Sequence, residues 1–378
     1  MEETFSFLEE NDSINNTKII KEKSLFFTNI NCIEIIKCNN KDYFVIGVSD
    51  SDSKSVIEIY DFFNFEKIGS SELDYRKIIN IKQIFSHILL VSTGKYLRIF
   101  AFNLEFDIFQ IILVQQIEIQ FHNEIFKWFS NFLKPFIFDI NLFREKGNVL
   151  PKEYKLIANT TSGIYLYTKK IKKENDKYTQ YNIYEYLDIW NKNPFIYKGK
   201  IIDGSHYNVI QVNYEYIATL NTKGCLSLYS MTTNEIVTIF EVNNPTVENY
   251  ISMLTKDILC VVGGDTLSLL SIKDFEIVYM SVIKPKFSII GICILNDNNI
   301  LIALNEDNEK HLMHYKYNSE KDILSKKIIH NITQISSEII SSKKGNLKMI
   351  SVDKNKFITI IGEHTIQLRE INNSNFLI

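Results

Sequence analysis

The chain has 378 residues, 45% of them hydrophobic and 13% aromatic, enough to fill a sizeable core. Its 42 Lys and Arg nearly balance 45 Asp and Glu, and the net charge of −3 gives no global field to recruit nucleic acid or an acidic membrane. No run of 18 or more apolar residues marks a spanning helix, and the acidic start MEETFSFLEENDS has no apolar core of a secretory signal.

Residues 1–17 are polar and are expected to form a flexible tail. Lys18 to Thr28 reads as a strand, best formed at Ser24 to Thr28. After it, one pattern recurs: a short β-branched strand, a polar turn and a second strand. It is found at Tyr43–Asp61, Ile88–Phe102, Leu156–Thr168, Tyr216–Ser230, Ile258–Ser271, Ile300–Lys316 and Phe357–Ile371. Turn residues sit between the two strands each time, as in Asn221-Thr222-Lys223-Gly224, where Gly224 is free to take positive φ. The later strand often ends on an aromatic: Tyr60, Phe100, Tyr167, Tyr229 and Tyr315.

The unit Asn208 to Val242 is the fullest. Four alternating stretches, Val209–Val212, Tyr216–Leu220, Cys225–Ser230 and Glu235–Val242, are separated by polar turns, which describes an antiparallel meander. Leu226, Leu228, Leu267, Leu269, Leu166 and Ile164 alternate with small or polar residues on the third strands and are the expected core. The last unit, Asn346 to Ile371, shows only three strands. A spare strand at one end and a missing one at the other predict closure, with Leu25 to Thr28 paired to Thr365–Ile371.

The landmarks recur about every 40 to 45 residues, the period of WD-type propeller repeats. On these residues the chain resembles the WD-repeat β-propellers. Tyr60-Asp61 is the nearest relic of the Trp-Asp pair, and no Gly-His pair opens a unit. The resemblance implies an all-β fold: a single seven-bladed β-propeller of four-stranded antiparallel blades over residues 18–378. An N-terminal strand closes it, and insertions follow the second and third units. A sandwich or a β-helix is the alternative reading of the same strands.

Two segments interrupt the repeat. His122 to Phe138 carries Ile125, Phe129 and Leu133 at i, i+4 and i+8, a short helix or hairpin stopped at Pro135. Phe126 and Trp128 would lie about 200° apart around a helix, so one face could not bury both. Phe126, Trp128, Phe129 and Phe132 are therefore the candidate partner-binding residues, against the alternative that the lobe packs on the propeller's own side. The second segment, Lys169 to His206, has a charged tip and then Tyr178, Tyr181, Tyr184, Tyr186, Trp190, Phe195 and Tyr197. Basic and aromatic residues together can stack single-stranded nucleic acid. Asp176, Glu185 and Asp188 dilute the charge and argue against it, leaving an elongated outer hairpin.

The sequence holds no chemistry motif. Glycine-rich phosphate loops and a Gly-x-Ser-x-Gly turn are missing. His311 and His314 stand at i, i+3 on a strand and so point to opposite faces, which does not suit a shared metal. Cys32, Cys38, Cys225, Cys260 and Cys293 form no Cys-x-x-Cys pair and are expected as reduced core thiols. Phosphoinositide-binding propellers carry Phe-Arg-Arg-Gly; Leu368-Arg369-Glu370 is the nearest string here, with Glu in place of the second Arg.

The expectation is therefore a non-catalytic scaffold or adaptor subunit of a multiprotein complex. Its partners are other proteins, and it has no cofactor, metal or catalytic residue. A peripheral membrane or phosphoinositide-binding adaptor in membrane trafficking or autophagy is the alternative. The cytoplasm is the expected compartment, with the nucleus as second choice.

Overall fold

The computed structural model describes residues 17–25, 29–49, 54–73, 77–85, 87–93, 96–105, 108–118, 137–143, 153–170, 194–241, 249–263, 266–273, 276–283, 288–296, 299–306, 309–321, 328–341, 347–362 and 364–371. All its regular structure is β. Strand β1 (Thr17–Ser24) opens the chain. Blade 1 follows as β2 (Asn29–Cys38), β3 (Lys41–Ser49), β4 (Ser55–Asp61) and β5 (Lys67–Leu73). Blade 2 is β6 (Asn80–Phe85), β7 (Ile88–Ser92), β8 (Tyr96–Glu105) and β9 (Ile108–Glu118). Blade 3 is β10 (Ile137–Phe143), β11 (Glu153–Thr160), β12 (Gly163–Lys170) and β13 (Ile196–Asp203).

Blade 4 is β14 (His206–Gln211), β15 (Tyr216–Asn221), β16 (Cys225–Ser230) and β17 (Glu235–Glu241). Blade 5 is β18 (Asn249–Thr255), β19 (Ile258–Gly263), β20 (Thr266–Lys273) and β21 (Glu276–Ile283). Blade 6 is β22 (Ser288–Asn296), β23 (Asn299–Glu306), β24 (Glu309–Lys321) and β25 (Ile328–Ser341). Blade 7 is β26 (Leu347–Ser351), β27 (Lys356–Ile361) and β28 (Thr365–Ile371), completed by β1. Each strand pair predicted from turn chemistry is the second and third strand of a blade. The second interruption of the repeat, Lys169 to His206, runs from the end of β12 to the start of β14 and contains β13, the fourth strand of blade 3.

The chain divides into two compact units, Leu25–Pro245 with blades 1 to 4, and Met1–Ser24 with Thr246–Ile378, holding blades 5 to 7. In the first, blades pack face to face through alternating side chains. Ile57 and Ile59 of blade 1 meet Leu89, Val91 and Phe100 of blade 2. Leu90 and Ile99 of blade 2 meet Leu156, Tyr165 and Tyr167 of blade 3. Ile157, Ile164 and Leu166 of blade 3 meet Val209, Ile217 and Tyr229 of blade 4. Thus β12 sends Ile164 and Leu166 to one neighbour and Tyr165 and Tyr167 to the other. In the second unit, Leu267 and Leu269 of blade 5 meet Ile300, Ile302 and Tyr315 of blade 6. Leu301 and Leu312 of blade 6 meet Phe357 and Ile371 of blade 7.

All six expected core residues are buried. So are the aromatics Tyr60, Phe100, Tyr167, Tyr229 and Tyr315. Burial raises the Tyr315 phenol to about 12, and Tyr60 donates its hydroxyl to Glu58 Oε2 at 2.7 Å.

Turns are fixed by side-chain oxygens. Asn221 Oδ1 accepts from the amides of Lys223 and Cys225, both at 2.9 Å, while Gly224 takes a φ of 80°. Asn213 Oδ1 does the same for Glu215 and Tyr216 in blade 4, and Asp353 Oδ1 for Asn355 and Lys356 in blade 7. Gly163 has a φ of 146°, and a Cβ there would lie 2.4 Å from the Ile202 carbonyl oxygen, so the turn into β12 needs glycine.

One boundary is corrected. The strand that pairs with β28 is Thr17–Ser24, not Leu25–Thr28: Thr17 lies opposite Ile371 and Ser24 opposite Thr365, antiparallel, with one bulge. Leu25 follows the strand, and residues 26–28 are outside the described residues. Thr17, the last residue assigned to the tail from the sequence, belongs to β1. The physical reason is exposure: β1 is the outermost strand of its blade, and most of TKIIKEKS is open to solvent. Apolar content, which favours Leu25-Phe26-Phe27, is a poor guide to such a strand.

Candidate partner-binding surface

Phe126, Trp128, Phe129 and Phe132 lie outside the described residues, as do Tyr178, Tyr181, Tyr184, Tyr186 and Trp190. The last two aromatics of that second segment are described, and they serve packing between blades 2 and 3. Phe195 is buried; its amide donates to Gln115 Oε1 at 3.0 Å and its carbonyl accepts Gln115 Nε2 at 2.9 Å. The Tyr197 ring rests against Tyr165 and Tyr167, with centroids 6.1 and 5.6 Å away.

His311 and His314 do point to opposite faces of β24. His311 Nε2 is 3.1 Å from Glu306 Oε2 and 3.6 Å from Glu309 Oε2. His314 is buried, with Nε2 2.8 Å from Asn299 Oδ1, so the ring carries its proton there. Burial, with Lys316 adding to it, lowers the His314 pKa to about 4. The unfolded chain binds this proton below about 6.5 while the folded one refuses it until about 4. Stability should therefore fall as pH drops through that window, by about 3 kcal/mol in total from this group, and then level off. Denaturant titrations of wild type and His314→Gln at pH 7 and pH 4.5 check this. The variant should lose markedly less stability between the two.

Arg369 is buried in blade 7. Its Nε donates to Gln367 Oε1 at 2.9 Å and its Nη1 to Thr17 Oγ1 at 3.0 Å. The arginine closest to a lipid-binding motif is thus spent on holding the closing strand. Cys32, Cys38, Cys260 and Cys293 are buried, Cys225 is half-buried, and all five are free thiols. Burial raises the thiol pKa of Cys38 to about 11 and of Cys293 to about 12, which keeps both unreactive.

Sequence reasoning missed one polar network. Gly204-Ser205-His206 opens blade 4, and buried His206 places Nδ1 2.8 Å from Thr219 Oγ1 on the second strand. Its Nε2 is 3.1 Å from the Asp203 carbonyl oxygen, and its own carbonyl accepts Asn159 Nδ2 from blade 3 at 2.9 Å. The network ties blade 3 to blade 4; burial lowers the His206 pKa, and the bond to the Asp203 carbonyl opposes that shift. The signal was present as a glycine two residues before a histidine at a blade start; searching for adjacent Gly-His overlooked it.

A candidate surface for a partner lies on the outer edges of blades 3 and 4. On β13, Ile196 pairs with Thr168, which shares a face with Ile164 and Leu166 and so looks toward blade 4. On β17, Ile236 pairs with Tyr229 and Ile239 with Ser227, on the face that looks toward blade 3. These side chains are nevertheless open: Ile196 is 58% exposed, Ile236 45% and Ile239 61%. Val237, the extra residue of a bulge in β17, is 43% exposed. Gly199 on β13 pairs with Leu166, and a side chain added there would meet nothing within 4 Å. Three isoleucines and a glycine thus stand on the facing sides of two neighbouring fourth strands. Among the described residues no group of three His, Cys, Asp or Glu could hold a metal ion, and no helix is long and apolar enough to cross a membrane. Exposed apolar side chains gathered on facing strands suit adhesion to another apolar surface.

Seven four-stranded antiparallel sheets, with β1 completing the last, define a seven-bladed β-propeller. Similar solved structures bear this out. The chain matches the Cps50 (Swd1) β-propeller domain of Myceliophteria thermophila with a TM-score of 0.60 and 9% identity, over 94% of this chain and 99% of that one. It matches a chain from a mitotic checkpoint complex with a TM-score of 0.63 and 8% identity, over 98% and 99% respectively. No protein-family model and no curated protein matches the sequence.

Proposed function

We propose that the protein is a non-catalytic interaction scaffold, an adaptor subunit that docks other proteins. The observation that carries this reading is the set of exposed apolar side chains, Ile196, Ile236, Val237 and Ile239, on the adjoining edges of blades 3 and 4. Both strands are paired within their blades, so a partner would lose little entropy in ordering them. One of the similar propellers comes from a structure of a multiprotein complex, which agrees with such a role. Five free thiols, four of them buried, support a reducing compartment, the cytoplasm or the nucleus.

The test is affinity capture of the full chain from native cells, followed by gel filtration of the eluate. The wild type should co-elute with a stoichiometric protein partner. The double variant Ile196→Asp with Ile239→Asp should keep its melting temperature within about 2 °C, as exposed changes usually do, and should lose that partner. A wild-type chain that elutes alone would count against the scaffold reading.

A further inference from the structure

Two arginines are buried among the described residues, and only one has its charge satisfied by the fold. Arg369 is spent on Gln367 and Thr17. Arg98, on β8, is 8% exposed. Its Nε donates to Gln116 Oε1 at 3.0 Å, and its guanidinium carbon lies 5.7 Å from the centre of the Tyr96 ring. Among the described residues, its two Nη groups have no acceptor and no carboxylate forms an ion pair with it. Arginine is almost never buried unless it is paired, because an uncompensated charge out of water is costly.

The register fixes the face on which Arg98 stands. It lies opposite Val91 and alternates with Phe100 and Phe102, which pack with Val91 against Ile57 and Ile59 of blade 1. Arg98 therefore looks toward blade 1, near the turn from β7 into β8. The Thr93 amide donates to the Tyr96 carbonyl at 3.0 Å, one step past the pair Ser92↔Leu97, so Thr93 shares this face and stands diagonally from Arg98. Diagonal positions are about 7–8 Å apart, within reach of a long side chain. Thr93 is buried, and its Oγ1 has no hydrogen-bond partner.

We propose that Arg98 and Thr93 receive a carboxylate group of a ligand at the junction of blades 1 and 2. The two Nη groups would meet the two carboxylate oxygens as a bidentate fork, and Thr93 Oγ1 would donate a further bond. Gln116 holds Nε and Tyr96 covers the guanidinium, so the fork is set before the ligand arrives. One carboxylate balances one guanidinium. A phosphate dianion would leave a negative charge over, and Glu118, opposite Tyr96 and engaged in a contact of its own, already places one on this face. The site is separate from the facing edges of blades 3 and 4 and does not depend on the scaffold reading.

The chain has only four arginines, Arg76, Arg98, Arg144 and Arg369, so nitrogen-15 labelling of arginine Nε in the full protein gives few signals. That of Arg98 is identified by its loss in Arg98→Gln. Sodium acetate should shift it saturably, and sodium chloride at equal ionic strength should not. The capped peptide acetyl-Gly-Glu-Gly-amide should act like acetate, and its Gln counterpart should have no effect. Thr93→Val should weaken binding about fivefold, the loss of one hydrogen bond. Arg98→Gln should leave the melting temperature of the unliganded protein unchanged or higher, because it removes an unpaired buried charge. Tighter binding of the peptide than of acetate assigns the carboxylate to a polypeptide, and equal binding assigns it to a small acid. The proposal is overturned by a lower melting temperature of Arg98→Gln, by tighter binding of inorganic phosphate, or by no saturable shift up to about 100 mM. A response to acetate that appears only in Glu118→Gln would also overturn it, since Glu118 would then be the partner of Arg98.

Discussion

Removal of residues 1–24 is expected to leave a protein that is insoluble or melts more than about 10 °C lower, the largest effect of any change considered. The deletion strips β1 from β28 over seven residue pairs, Thr17↔Ile371 to Ser24↔Thr365. It also removes partners from buried polar side chains. Arg369 Nη1 loses Thr17 Oγ1 at 3.0 Å, and Gln367 Nε2 loses Glu22 Oε2 at 2.6 Å. A buried polar group deprived of a partner costs about 1–3 kcal/mol, and one of these is a charged guanidinium. Two such losses with the ladder itself exceed about 5 kcal/mol, a large share of the stability of an ordinary domain. The bared edge of β28 would then be free to pair with another chain. Thermal unfolding by circular dichroism, with light scattering for aggregation, is the measurement. Deletion of residues 1–16, which spares every one of these bonds, should be neutral. If the longer deletion melts with the wild type, β1 does not close the propeller.

Much of this fold was legible because inner strands are buried on both faces. Strands such as β7, ILLVS, and β19, ILCVVG, read as short apolar runs bounded by turn residues, and every one of the seven second-to-third strand pairs was found that way. Outer strands carry a mixed signal because they touch the blade on one side only. That is why β1 was misplaced by one segment, and why β13 was lost within a long interruption of the repeat. The alternation on third strands also meant something other than inside against outside. In β16, Ser227 is as buried as Leu226 and Leu228; the pattern distinguishes a close-packed face from a wider one. The candidate surface was not legible for the same physical reason. Ile236 and Ile239 look like core residues in sequence, yet both are exposed on the outermost strand of blade 4. The aromatic lobe named from the sequence, Phe126 to Phe132, lies outside the described residues.

The contrast between inner and outer strands can be measured within one face of one blade. Ile164 on β12 and Ile196 on β13 both look from blade 3 toward blade 4. Ile164 is fully buried among Ile157, Leu166, Val209 and Ile217. Ile164→Ala should therefore destabilise by about 2–5 kcal/mol, combining the lost transfer energy with the cavity left behind. The upper part of that range is expected, because β12 is clamped on its other face by Tyr165 and Tyr167 packed against blade 2, and cannot shift to fill the space. Ile196→Ala removes the same atoms from the same face, yet should change stability by less than about 0.5 kcal/mol, since its side chain already meets solvent. Denaturant midpoints with equal slopes would establish the difference. Equal losses for the two would show that the outer edge is packed as tightly as the inner strands, and the facing edges of blades 3 and 4 would not be open to a partner.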